Sequence, residues 1–108
     1  MTAGPHGAQP GIVITAIDGR RAEVTLTGDA DSRLLHDLEA RLADARLQQA
    51  EHWVLDLHGV TRIELACAYA LLRAVTQHSG TAVVRAGRRA VLRTLRHAGL
   101  DKAAVIED

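Results

Sequence analysis

The chain contains no phenylalanine, and its aromatic side chains are one tryptophan, Trp53, and one tyrosine, Tyr69, in 108 residues. So few rings leave no stacking platform for single-stranded nucleic acid or sugars. A single cysteine, Cys67, excludes an intramolecular disulfide and a Cys-based zinc site, and it points to a reducing, cytoplasmic setting. Only two serines are present, Ser32 and Ser79, against eight threonines, so a serine-based mechanism has two candidates. Both prolines fall within residues 1–10. No charge of one sign dominates: thirteen basic residues balance thirteen acidic ones, which argues against wrapping nucleic acid or a membrane by bulk charge. The longest uncharged apolar run, Leu65 to Leu72, is eight residues, far short of the roughly 20 that a spanning helix needs, so no membrane insertion is expected. No basic stretch followed by an apolar one opens the chain, and no secretory signal is expected.

What is present is a globular balance: 47% hydrophobic and 24% charged residues, in a length that suits one domain. Residues 1–10 hold almost nothing to bury and read as a flexible tail, leaving 11–108 as the domain. Ile12 to Ile17 is β-branched, Asp18-Gly19 follows, and Ala22, Val24 and Leu26 then alternate with Glu23, Thr25 and Thr27, which is the pattern of a hairpin. Gly28 to Ser32 breaks that strand, and Asp31 or Ser32 can cap the next helix. From Arg33 to about Gln49 one helix is predicted, with Leu35, Leu38, Leu42 and Ala45 inward and Leu34 flanking. Trp53 to Leu57 is apolar on both faces, as a central strand is. Thr61 to Glu64 reads as a linker into a helix over Leu65–His78 that is apolar nearly all round and therefore buried. Thr81 to Arg85 is a further strand, Arg88 to Ala98 a third helix closed by Gly99, and Ala104 to Ile106 either a last short strand or a packing segment. The order β-β-α-β-α-β-α-(β) implies an α/β domain with a mixed, mostly parallel sheet of four to five strands and helices packed on it.

Few motifs carry chemistry. There is no glycine-rich phosphate loop, and no GxSxG surrounds either serine. The six histidines are scattered without metal-ligand spacing and read as surface or rim residues, with His78 and His97 favoured at helix C-terminal ends. Asp29-x-Asp31 resembles half of an acidic metal loop, but capping and a solvated turn account for it. Cys67 falls in the first turn of its helix, where the dipole favours a reactive thiolate; the competing reading is a buried small side chain. Arg89, Arg93 and Arg96 share a face of the third helix beside Arg88 and His97. That face suits an acidic partner, nucleic acid or anionic lipid, or is simply solvated. No metal, no cofactor and no enzyme emerges from these residues.

The stretch Leu55-Asp56-Leu57-His58-Gly59-Val60-Thr61-Arg62-Ile63-Glu64 closely resembles the signature of STAS domains, the family of the anti-sigma factor antagonists. Members carry a strand ending aliphatic-Asp-aliphatic, a Gly-Val linker, then Ile-Asp-Ser-Ser-Gly opening a helix. Leu26 to Asp31 is similar to the family's Gly-x-x-Asp turn, Gly80 and Val83-Val84 to its next strand, and Leu92 to Leu100 to its last helix. The resemblance covers residues 11–106.

It implies a non-catalytic module that docks a protein partner, often an anti-sigma factor with a protein-kinase fold, at the start of the second long helix. In the family, phosphorylation of the serine after the Asp breaks that contact by placing about −1.5 to −2 charges inside it. Aligned through Ile63, the family's Asp is Glu64, its phosphorylated Ser is Leu65, the next small residue is Ala66, and its Gly is Cys67. No hydroxyl stands at 65 or 66; Thr61 is the nearest. The candidate partner-binding residues are therefore Asp29, Asp31, Thr61, Arg62, Glu64, Leu65, Ala66 and Cys67, with Leu65 unable to accept a phosphate. The alternative is a STAS subunit of a membrane transporter, of the kind found in lipid ABC transporters. No nucleic acid is expected, and a homodimer is left open.

Overall fold

Ile12, Ile14, Val24, Leu55 and Val84 share a property that organises the molecule: each points to the same side of one sheet. The computed structural model describes residues 11–18 and 20–107, so the predicted N-terminal tail and Gly19 of the predicted turn lie outside the described residues. The strands are β1 (Gly11–Asp18), β2 (Arg21–Ala30), β3 (His52–Ile63), β4 (Thr81–Arg85) and β5 (Val105–Glu107). They lie in sequence order in one five-stranded sheet, β1 antiparallel to β2 and every other pair parallel. Between them run helices α1 (Ser32–Leu42), α2 (Ala45–Gln49), α3 (Leu65–Gln77) and α4 (Arg89–Ala98), then a 3-10 turn over Leu100–Lys102.

One row of side chains, Ile14, Val24, Leu55, Val84 and Ile106, crosses all five strands. Its middle three members are wholly buried, beneath Leu38, Leu71 and Leu95 of the helices, which belong to the same core. The next row, Val13, Thr25, Asp56, Arg85 and Glu107, faces the other way and is largely polar. Helices thus cover one face of the sheet, as the alternation of β2 predicts.

Three elements differ from the sequence reading. β2 does not stop at Gly28: it continues to Ala30 through a bulge, with Gly28 at φ +78°, a conformation that glycine adopts without strain. β3 is 12 residues long, and Thr61 to Ile63 belong to it rather than to a linker. The predicted single helix over 33–49 is two, because Asp44 accepts from Arg46 N at 2.8 Å and starts a new helix there. That restart turns Leu47 into the core, keeps Ala45 at the surface, and makes Leu34 rather than Leu35 the fully inward residue. Gln48 Nε2 meanwhile donates to the Leu42 carbonyl at 2.9 Å, satisfying the end of α1. α4 closes as read, with Gly99 in the left-handed region at φ +92°.

Trp53 locks the end of the sheet where β3 begins. It is fully buried, its Nε1–H donates to the Leu47 carbonyl at 2.8 Å, and its ring stacks on His78 at 4.0 Å with 17° between planes. His78 is therefore not a rim residue. It is 7% exposed, and its Nε2–H donates to the carbonyl of Ala50 at 2.7 Å, tying the ends of α2 and α3 together. Trp53→Ala is expected to cost about 3–5 kcal/mol and Trp53→Phe, which keeps a ring but loses the indole N–H, about 1–2 kcal/mol. Urea denaturation followed by circular dichroism measures both, and equal costs would show that the hydrogen bond rather than the ring carries the lock.

Candidate functional site

In a parallel sheet with right-handed crossovers, every helix that follows a strand starts at the same end of the sheet. The C-terminal ends of β2 and β3 therefore bring the starts of α1 and α3 side by side, and the candidate residues lie on those two junctions. The bulge at Gly28 sets the register: Asp29 pairs with Arg62 and Ala30 with Ile63. Thr61 Oγ1 donates to Asp29 Oδ1 at 2.9 Å across the two strands. Glu64 N then donates to the Ala30 carbonyl at 2.9 Å, holding the first residue after β3 against β2.

Asp31 caps α1: its Oδ1 accepts from Arg33 N at 3.0 Å, while its other oxygen takes the Arg33 guanidinium at 2.8 Å. That pairing holds the Asp31 carboxyl below the usual carboxylate range. Arg33 also feels Asp29 and Glu64, so one guanidinium sits among three carboxylates. The sequence reading did not single out Arg33; its place two residues after a capping aspartate was the available signal. Arg62 approaches Glu64 at 4.0 Å.

α3 opens differently from α1. Its N-cap is Glu64, whose side chain makes no capping bond, and Cys67 N and Ala68 N close on the Glu64 carbonyl at 3.0 and 3.1 Å. Leu65 and Ala66 are exposed, Leu65 by 37%. Tyr69, one turn on, is 43% exposed. The helix read as buried all round thus shows a short apolar strip, Leu65, Ala66 and Tyr69, at the end of the sheet where the acidic cluster stands. The i, i+4 spacing of Leu65 and Tyr69 carried that strip, but the apolar composition of the whole helix concealed it.

A family model described as "Mlab, STAS domain" matches residues 13–107. The chain belongs to the STAS family. Its fold is similar to the crystal structure of an anti-sigma factor antagonist from Mycobacterium paratuberculosis, with a TM-score of 0.78 and 21% identity over 91% of this chain and 85% of that one. It is also similar to the anti-sigma factor antagonist SpoIIAA in its unphosphorylated form (TM-score 0.71, 11% identity, 91% and 89% of the two chains). The Bacillus cell fate determinant SpoIIAA in its phosphorylated form gives 0.67 at 11% identity over 91% and 92%. No curated protein matches in sequence.

Within this STAS domain Cys67 replaces the small residue of the family signature, and the structure decides between its two readings. The side chain is fully buried, and Sγ–H donates to the Asp31 carbonyl at 3.3 Å, bridging the start of α3 to the cap of α1. Burial, then the charges of Glu64, Asp31 and Glu39, push the thiol pKa up to about 11, overriding the helix dipole. The group is a packing residue. Among the described residues, no cluster of three or more His, Cys, Asp or Glu side chains could hold a metal, and Asp29 and Asp31 spend their oxygens on Thr61 and Arg33.

The raised thiol pKa has a signed consequence. The folded chain keeps the Cys67 proton to higher pH than the unfolded chain, so its contribution is complete below about pH 9 and is lost as pH rises to about 11. Cys67→Ala removes this titration, and the stability difference between wild type and variant is expected to shrink across that window. Native protein is also expected to resist a thiol reagent at pH 8 that labels it fully once unfolded; rapid native labelling would contradict the burial.

Proposed function

We propose that this STAS domain is a non-catalytic regulatory module of the anti-sigma factor antagonist type, acting in the cytoplasm. It docks an anti-sigma factor of kinase fold, or a related regulator, through the start of α3. The observation that carries this reading is Leu65: an exposed aliphatic side chain, next to a half-exposed Tyr69, at the position where the family resemblance places the phosphoacceptor. Around it Asp29, Thr61, Arg62, Glu64 and Ala66 form the contact surface. Asp31 and Cys67 act from behind, holding α1 and α3 in register through the thiol–carbonyl bond.

SpoIIAA has both an unphosphorylated and a phosphorylated form. A chain with leucine at 65 and alanine at 66 has no hydroxyl for that switch, and Thr61 is held in β3 by Asp29. Contact here is regulated by something other than phosphate at this position. Non-catalytic action is supported by the same geometry: the one thiol is buried and protonated at neutral pH, and the carboxylates are engaged in caps and ion pairs.

The missing hydroxyl also favours a second reading, a STAS subunit of a lipid ABC transporter-like complex, because a permanent subunit contact needs no switch. Among the described residues no helix is long and apolar enough to cross a membrane, so any transporter role rests on docking to another subunit.

Affinity capture from the native cell with mass spectrometry separates the two: a kinase-fold anti-sigma factor supports the first, a transporter ATPase the second. Leu65→Asp is expected to weaken the captured contact by about 10- to 150-fold, the equivalent of losing about 1.5–3 kcal/mol of leucine burial. Unchanged affinity would remove Leu65 from the interface and the proposal with it.

A further inference from the structure

The arginines of this chain divide into two groups. Of the eight outside α4, seven lie within 4.0 Å of a carboxylate. The four at α4, Arg88, Arg89, Arg93 and Arg96, are all exposed, and among the described residues none of them has an ion pair. No Asp or Glu occurs between Arg85 and Asp101 to provide one along the chain.

This helix is also charged against its own preference. Arg88 occupies the N-cap, where it makes no side-chain capping bond, and Arg89 follows at the first helical position, so two cations stand at the positive end of the dipole. Arg89 and Arg93 are four apart and Arg93 and Arg96 three apart, which sets like charges side by side on one face. Elsewhere the same chain caps its helices with Asp31 and Asp44 and pairs each with a nearby arginine. Local rules kept throughout a molecule and broken at one face mark that face as answering to something outside the molecule.

We propose that the α4 face docks an acidic helical segment of a protein partner, separately from the surface around Leu65. The rise of about 1.5 Å per residue places Arg89, Arg93 and Arg96 roughly 6 and 4.5 Å apart along the axis, the spacing of carboxylates four and three residues apart on another helix. All three are arginine, whose planar fork grips a carboxylate with two parallel bonds. The page favours a protein over the other polyanions. The apolar residues of α4, Val91, Leu92, Leu95 and Ala98, are buried in the core, which leaves nothing to insert into a bilayer. No aromatic side chain lies on α4 to stack on bases, and a net charge of zero gives no long-range pull toward a membrane or a nucleic acid.

The test titrates the full chain, at low salt, with an alanine-based helical peptide of about 20 residues carrying Glu at three- and four-residue spacing on one face. A control peptide has the same composition with its Glu residues spread around the helix. Vesicles containing phosphatidylserine and a short duplex DNA are the other two probes. The patterned peptide is expected to bind at least about tenfold tighter than its control and than either polyanion, and to lose that advantage on combined Arg89→Glu, Arg93→Glu and Arg96→Glu substitution. Leu65→Asp is expected to leave this binding unchanged, so failure here is distinct from failure at α3. Separately, Arg88→Asp is expected to raise Tm by about 3–6 °C. Equal binding of the two peptides, tighter binding of vesicles or DNA, binding that survives the triple reversal, or an unraised Tm each overturns the proposal.

Discussion

The parallel pairing of β2 with β3 is the contact on which both core and site depend. On the helix-covered face it aligns Val24 with Leu55 at the centre of the row that the helices bury. At its far end, after two register shifts, the same pairing sets Asp29 beside Arg62 and Ala30 beside Ile63. α1 leaves from one strand and α3 from the other, so the distance between the two helix starts is set by this ladder and by nothing more remote. A one-residue slip would invert the faces of both strands at once, exposing Leu55 and separating Asp29 from Thr61. Core and site therefore constrain one register, and that makes the surface at the start of α3 rigid without a bound partner.

Cys67 links these two levels. Its sulfur is in the core, yet its hydrogen bond ends on the carbonyl of Asp31, the residue whose side chain caps α1 and holds Arg33. A glycine at this position, as in the family signature, offers neither the packing volume nor the bond. The chain has replaced a small residue at the third position of the helix with one that clamps the neighbouring cap, and has replaced a hydroxyl at the first position with Leu65. Both changes point the same way: an α3 start held fixed by packing, with apolar surface outward, instead of one whose charge is altered from outside.

Most of the architecture was legible because the hydrophobic periods are clean where the sheet is regular. Ala22, Val24 and Leu26 alternate, Thr81 to Arg85 is β-branched, and Gly99 stands where a left-handed cap is needed. The reading ran out where the backbone leaves regular geometry. After Leu57 the buried residues of β3 are Val60 and Ile63, a spacing of three produced by bulges, and three is not the period of a strand. His78 was hidden for another reason: its partners, Trp53 and the Ala50 carbonyl, are remote in sequence, so no local pattern records the burial. At the site, the family resemblance located the α3 start, but it did not show that Leu65 and Tyr69 would be exposed together. That depends on which way α3 is rolled against α1 and α4.

The neutral net charge conceals a strong internal separation. Residues 86–102 hold five of the thirteen basic side chains and only one of the thirteen acidic ones. The excess of acid elsewhere is absorbed, because arginines interleaved with those carboxylates pair with them at α1, α2 and the ends of β3 and β5. Pairs of that exposed kind add little stability, so pairing alone does not explain why one helix goes without. The explanation lies in what α4 does on its inner face. Val91, Leu92, Leu95 and Ala98 anchor it against the sheet and α3, and that burial is enough to hold the helix despite cations at its N-terminus. A helix secured from inside is free to carry an outer face that is unfavourable for folding, and only such a helix can keep four guanidiniums unengaged.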